Sequence, residues 1–425
     1  MSERDPEARR YADAAGGALA AGSVTRPMIP AALDDLRVLD VSQGIAGPLC
    51  AKLLGDFGAD VIKVEPAGGE CGRSMPPFSG GEAHPEKSLF FLLTNLNKRG
   101  ITLNLEEPRG ADIFKELARR ADVIVESFPP GYLASLGLDH PSLERQNPGL
   151  VMTSITPFGQ TGPYRDYKGG ELVAYATSGI MSISGTTDRE PLKHGGFQAQ
   201  YEAGFNANLA TLFTLLLRDV TGEGQHVDLS VQEVVASTLV INQPFYSWTG
   251  GVQGRRRPEG TMFGNVMPCK DGYFVNQGGG GASWNDVADF YGRPDLKDER
   301  FADVNQRVIN GQALDELLVE AAKDRTMEEM FKTASEQYRM LFGIVQTPAD
   351  LAACAQLEAR DFYQEVEHPV IGTIKVPFGL WNMTETPARY RRPAPLLGQH
   401  NLEVYGEILG YTEDEVMRLR QAGVI

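Results

Sequence analysis

The sequence predicts an α/β protein whose parallel strands are covered by helices, and three observations carry that prediction. Short β-rich apolar runs alternate with helical segments from Leu36 onward, each run ends in loop residues, and no internal repeat at solenoid periods competes with the alternation. Taken in order, "LRVLDVS" is a strand ending in polar loop residues, "QGIAGPLCAKLLGDFGA" is a loop and an amphipathic helix, and "DVIKVEP" is a second strand closed by Pro66. "GITLNL" is a third strand, Pro108 suits the first turn of the helix in "PRGADIFKELARR", and "ADVIVESF" is a fourth strand. The segment "PPGYLASLGLDHPSLERQNP" is turn-rich with a short helix before "GLVMTSITPFG" returns to a strand. Residues 203–218 carry Phe205, Leu209, Leu212, Phe213 and Leu216 at helical spacing, which predicts a buried helix. "TGEG" then turns into the strand "HVDLSV", and "EVVASTLVINQPFYSW" reads as one long helix, its aromatic residues Phe245, Tyr246 and Trp248 as core or as a pocket lining.

Beyond Thr249 the texture changes. The Gly- and Arg-rich "TGGVQGRRRPEG" reads as an exposed connection. The expected organisation is an N-terminal extension (1–30), the first part of a large domain (31–235), a linker (236–264), a smaller, mainly helical α+β domain (265–358), and a segment (359–425) that links back and returns to the large domain. The smaller domain holds the strand "GYFVN", the glycine run 278–281, three helices over 284–291, 313–322 and 327–334, and a further helix in "TPADLAACAQLEARDF". "HPVIGTIKVP" reads as a hairpin, and two short helices close the chain.

Composition narrows the function classes. The 425 residues suffice for two domains and a large core. No run of about 18 apolar residues is present, so no membrane span is expected. The first thirty residues mix both charges with Ala and Gly and lack an apolar signal core, so a cytoplasmic location is expected. Four scattered cysteines without CxxC spacing suit a reducing compartment, and six scattered histidines without an HxxxH pair give no expectation of a metal. The formal net charge of −16 disfavours nucleic acid as a partner. It also means that an anionic ligand must be held by local donors and not by the overall field. In open parallel sheets ligands bind outside the carboxyl ends of strands, where the segments 42–48, 66–73 and 127–131 fall. Ordinary turns share that Gly- and Pro-rich composition.

The ordered set "AGPLCAKLLGDFGADVIKVE", "NLNKRGITLNL", "ADVIVESFPPGYLASLGL", "FGQTGP", "TGEGQHVDLS" and "APLLGQHNLEV" resembles the class III CoA-transferases, the group of formyl-CoA transferase, carnitine CoA-transferase and 2-methylacyl-CoA racemase. The resemblance runs from Leu36 to Ile425. It implies a Rossmann-like large domain built from both ends of the chain, a smaller domain, and two subunits threaded through each other as an interlocked dimer. It implies an acyl-CoA and a carboxylic acid as substrates, with no tightly bound cofactor. Members carry an Asp four residues before the glycine matched by Gly204. That carboxylate attacks the thioester, as both nucleophile and leaving group. Here the position holds Gln200, whose neutral amide offers only hydrogen bonds.

Other positions depart too. Pro66 and Ser135 stand where arginines of the family contact the cofactor, and Gly170 stands where the racemases place a histidine, so racemase chemistry is not expected. The family's cofactor-facing positions correspond to Ile45, Ala46, Leu103, Asn104, Ser127, Phe128 and Lys168. Arg73, Lys98 and Arg99 read either as replacement phosphate contacts or as a loop-face charge cluster. Lys168 reads as a phosphate partner or a solvated lysine. Two acids near Gln200, Glu171 and Glu202, are chemically competent replacement nucleophiles. Both would have to overcome displacement from the reacting geometry. Three functions therefore stand open: the non-nucleophilic subunit of a heteromer with a paralogous partner, as in succinyl-CoA:benzylsuccinate CoA-transferases; a self-sufficient transferase, as a homodimer, using Glu171 or Glu202; and a CoA-ester binding protein without chemistry.

Overall fold

The computed structural model describes residues 31–255, 266–277 and 282–425. The expected extension (1–30), the glycine run 278–281 and part of the linker lie outside the described residues. Six parallel strands form the main sheet: β1 (Arg37–Asp40), β2 (Asp60–Glu65), β3 (Lys98–Thr102), β4 (Val123–Glu126), β5 (Val151–Thr156) and β6 (His226–Ser230). Their order is β3-β2-β1-β4-β5-β6. That is the doubly wound Rossmann order, and the chain reverses direction across the sheet between β1 and β4.

Period two decides the layers. Leu39, Ile62, Ile101, Ile124 and Met152 point to one face, against α2 (Pro108–Ala118) and the end of the chain. Val38, Val61, Val123, Val125 and Val151 point to the other, against α1 (Ala46–Asp56), α3 (Glu171–Thr177), α4 (Gln198–Thr221) and α5 (Val231–Ser237). Both faces are covered, which is why the strands read as nearly continuous apolar runs. Close approach of α1 to α4 depends on Gly204, since a Cβ there would lie 2.8 Å from the Ala46 carbonyl oxygen. Gly222, at φ +78°, ends α4 in the left-handed conformation that suits glycine.

Three expectations change in this half of the chain. The outer stripe of α4 is not buried: Leu209, Phe213 and Leu216 lie on the surface of the chain, Phe213 at 62% exposure. Apolar spacing reports which face is apolar, and what covers that face is not contained in it. The long helix after β6 is two helices, α5 and α6 (Asn242–Thr249). Pro244 cannot donate to the carbonyl of Val240 four residues earlier, so it sits in the first turn of a new helix. Phe245, Tyr246 and Trp248 on α6 are exposed, not core.

A second core belongs to β7 (Val266–Pro268), β8 (Tyr273–Gln277) and β9 (Leu341–Ile344), an antiparallel sheet packed with α7 (Trp284–Tyr291), α8 (Gly311–Ala322) and α9 (Met327–Glu336). "TPADLAACAQLEARDF" forms two short pieces, Pro348–Ala352 and Ala355–Glu358, instead of one helix. The expected hairpin is β10 (Tyr363–His368) with β11 (Gly372–Pro377). The chain then returns to the main sheet as α10 (Asn401–Leu409) and α11 (Glu413–Gln421). The Asn104 N–H donates to Val424 and the Tyr405 hydroxyl to the Thr102 carbonyl, so the C-terminus is tied to the end of β3. Among the described residues no helix is long and apolar enough to cross a membrane.

Candidate functional site

The three loops picked out at the carboxyl ends of strands converge on one cleft. It holds two cavities that share Gln43. The first, of about 340 Å³, is lined by Gln200, Glu171, Ile45, Ala46 and Ser127 together with Cys71, Thr156 and Phe197. The second, of about 270 Å³, is lined by Leu103, Asn104 and Phe128 with Pro66, Glu70 and Tyr132. Eight of the sequence-predicted positions are therefore brought together. Gln43, Glu70, Cys71 and Tyr132 were not singled out, although the first three lie in the strand-end loops and that position was their signal. Thr156 had none, because its hydroxyl matters only through its place at the end of β5.

Gln200 occupies the first turn of α4, facing the first cavity. The capping carboxylate of that turn comes from another helix: Glu171 accepts the N–H groups of Ala199 and Gln200, each at 3.2 Å, with the Lys193 ammonium 3.6 Å away. A carboxylate at a helix N-terminus is favourably placed against the aligned peptide dipoles. Glu202 does not line the cavity. Two residues further along the helix it turns towards Tyr175 and His194, and burial, countered by His194 and reinforced by Glu171, raises its carboxyl above the usual range. Its Oε2 is buried and has no hydrogen-bond partner.

The cations do not line the cleft, and this corrects both readings of Arg73, Lys98 and Arg99. The Arg73 guanidinium is 1% exposed, grips Glu65 at 2.7 and 2.8 Å, and also binds Glu86. Lys98 lies fully buried on Asp40 at 2.7 Å. Arg99 binds Asp60, Glu403 and Glu407, fastening α10 to the sheet. None has a face left for a phosphate, because short carboxylate pairs hold them inside the fold. Lys168 is exposed beside Gly169 and Gly170, at the rim of the first cavity. Among the described residues, those lining the two cavities include Glu65, Glu70, Glu106 and Glu171 but no Lys, Arg or His. Glu65 is paired with Arg73 and Glu171 with Lys193, so a ligand's anionic groups meet balanced charges there and no cationic side chain among the described lining residues.

Between the cavities runs a turn shaped by Glu126. Its buried carboxylate accepts the Phe128 N–H at 2.7 Å. Burial, reinforced by Asp228 and opposed by the Ser154 hydroxyl and the Phe128 N–H, raises its pKa to about 7. A carboxyl that holds its proton more tightly when folded than when unfolded costs stability as pH rises from the ordinary value of 4.5 through about 7. Glu126→Gln keeps the acceptor and removes the charge. The variant is expected to match the parent at pH 4.5 and to be more stable by about 2–3 kcal/mol at pH 8. Thermal melts of both proteins across that range check it, and a variant less stable than the parent at pH 8 would contradict it.

Among the described residues no group of His, Cys, Asp and Glu is placed to hold a metal. The sequence pattern of CoA-transferase family III matches residues 33–401. The chain is 34% identical over 403 residues to the succinyl-CoA–D-citramalate CoA-transferase of Chloroflexus aurantiacus, covering 93% of this chain and 98% of that protein. It is 32% identical to the beta subunit of the succinyl-CoA–L-malate CoA-transferase of the same organism, over 92% of this chain and 98% of that one. It is 30% identical to the succinyl-CoA:(R)-benzylsuccinate CoA-transferase subunit BbsE of Thauera aromatica, over 92% and 97%. The crystal structure of a CAIB/BAIF family protein from Brucella suis superposes with a TM-score of 0.80 at 29% identity, covering 89% of this chain and all of that one.

Proposed function

We propose, since the chain belongs to CoA-transferase family III, that it works as the non-nucleophilic subunit of a heteromer, with a paralogous partner carrying the catalytic aspartate. It is a CoA-transferase and takes CoA thioesters as substrates. The observation that carries the finer reading is Gln200: it faces the cavity from the position of the family nucleophile, and an amide is neither an adequate nucleophile nor a leaving group. Relatives named as subunits support it, one of a malate and one of a benzylsuccinate transferase.

In this reading succinyl-CoA is the donor and a dicarboxylic acid the acceptor. The neutral arm and adenine of the CoA ester occupy the two cavities, touching Ile45, Ala46, Leu103, Asn104, Ser127 and Phe128. Its phosphates lie outward, near the exposed Lys168. The subunits interlock as a dimer in the cytoplasm, each with a large domain begun by 31–235, a linker over 236–264, a small domain formed by 265–358, and a segment 359–425 that links back and returns to the large domain. The exposed apolar stripe of α4 supports such an assembly.

Glu171 favours a second reading, because it shares the cavity with Gln200. In that case the chain is a self-sufficient transferase and Glu171 carries the acyl group. One experiment separates the two. The purified chain is given succinyl-CoA with D-citramalate, L-malate, glutarate or (R)-benzylsuccinate, alone and with its co-expressed paralogue, and enzyme-bound thioesters are located by peptide mass spectrometry. No turnover alone with turnover in the pair is expected. Turnover alone with an adduct on Glu171 would establish the second reading.

A further inference from the structure

Beneath the loop that joins β1 to α1 lies a cluster of charges with no part in the chemistry above. Asp40, Lys63 and Lys98 are fully buried on three adjacent strands, and Glu65, Glu70 and Arg73 extend the group. Three carboxylates and three cations are thus withdrawn from water. Asp40 Oδ2 meets Lys98 Nζ at 2.7 Å and Lys63 Nζ at 3.5 Å. Burying ions is costly, and replacing such a cluster by apolar side chains of similar volume is often neutral or stabilising. Stability alone is therefore a poor account of it.

What the cluster holds is a better one. Asp40 Oδ1 accepts the Ser42 N–H at 3.1 Å and also the Ser42 hydroxyl, and Lys63 donates to the Ser42 carbonyl. Lys98 donates to the Pro48 carbonyl and to Asn95 Oδ1, both at 2.8 Å. Glu70 Oε2 accepts the Gly44 N–H at 2.9 Å and the Gly72 N–H at 2.6 Å, and Ser127 Oγ accepts the Gln43 N–H at 2.9 Å. The loop doubles back so closely that a Cβ on Gly47 would lie 2.2 Å from that of Ser42. Between these anchors, Gln43, Gly44, Ile45 and Ala46 form a wall of the first cavity, and Gln43 also borders the second.

We infer that Asp40, Lys63 and Lys98 are positioning residues for CoA-ester binding, fixing the backbone of residues 43–46 as a preformed wall before any ligand arrives. The inference rests on the reading that these cavities receive the CoA ester. A wall held in its bound shape binds more tightly because no ordering cost falls on association. Burial pushes the Lys98 ammonium down to about 8, even though Asp40 opposes the shift. That is the mark of a charge kept inside against its solvation preference.

The test uses the full-length chain with Asp40→Leu, Lys63→Met and Lys98→Met combined, read by hydrogen exchange of residues 42–49 without ligand and by titration calorimetry with CoA. The expected result is loop exchange at least tenfold faster and a Kd for CoA at least tenfold higher. Unchanged loop exchange overturns the inference, and so does faster exchange with an unchanged Kd. If the parent does not bind CoA, the functional reading falls while loop exchange still judges the cluster. Should the triple variant fail to fold, Lys63→Met alone, which unties the Ser42 carbonyl, is expected to change both quantities about threefold, and no change in either overturns the inference.

Discussion

Gln200→Asp is expected to give the isolated chain a nucleophile and, with it, a trappable covalent intermediate. The side chain faces the first cavity from the first turn of α4, so an aspartate there meets the same space that the amide now fills. Its carboxylate oxygen attacks the thioester carbonyl, CoA leaves as thiolate, and a mixed anhydride forms. The thiolate then attacks the aspartyl carbonyl, giving an enzyme-bound CoA thioester and the free acid. The helix dipole favours the new charge, while Glu171, bound to the backbone N–H of the same residue, opposes it by like-charge repulsion.

A lost nucleophile costs on the order of 10⁶ in rate, and imperfect placement about 10². CoA exchange by the variant should therefore rise by about 10³-fold or more over the parent assayed alone. Peptide mass spectrometry after borohydride or hydroxylamine trapping should place the adduct on residue 200. An adduct on Glu171 instead, or none with the variant folded and CoA-bound, would show that this position is not the site of attack.

The second large effect concerns assembly. Leu209, Phe213, Leu216 and Val220 recur every three or four residues on the outer face of α4, all exposed. They continue into an apolar groove of about 600 Å³ formed with Leu53, Phe57, Phe205, Leu212, Trp381 and Met383. A contiguous apolar surface of this kind is characteristic of a protein interface. Phe213→Asp with Leu216→Asp places two charges where two side chains are to be desolvated. At about 2 kcal/mol or more for each anchor, the dissociation constant should rise by about 10³-fold. Sedimentation at micromolar concentration should then show the single chain where the parent shows a larger species. A variant that sediments with the parent would remove α4 from the interface.

Much of the architecture was legible because it rests on local periodicity. Apolar runs such as "DVIKVE" and "ADVIVES", separated by helices, already implied a parallel sheet buried on both faces, and the three strand-end loops already marked the cleft. Gln200 was legible as well, since an amide in a frame that calls for an acid is a chemical statement whatever the coordinates. The cations were not. Arg73, Lys98 and Arg99 look alike in a sequence whether they face water, a phosphate or an internal carboxylate. Only the positions of Glu65, Asp40 and Asp60, 8, 58 and 39 residues away, decide the matter. Glu171 is a similar case: its hold on α4 joins residues 28 and 29 apart.

The sequence by itself thus determined the fold class, the family and the absence of a carboxylate at position 200, all of which follow from residue identity and short-range spacing. The tertiary structure alone decided which charges are internal, which apolar stripe is left uncovered, and that Gln200 and Glu171 share a cavity. Those are properties of side chains brought together from distant parts of the chain, and burial and pairing are fixed only when the strands that carry them are laid side by side.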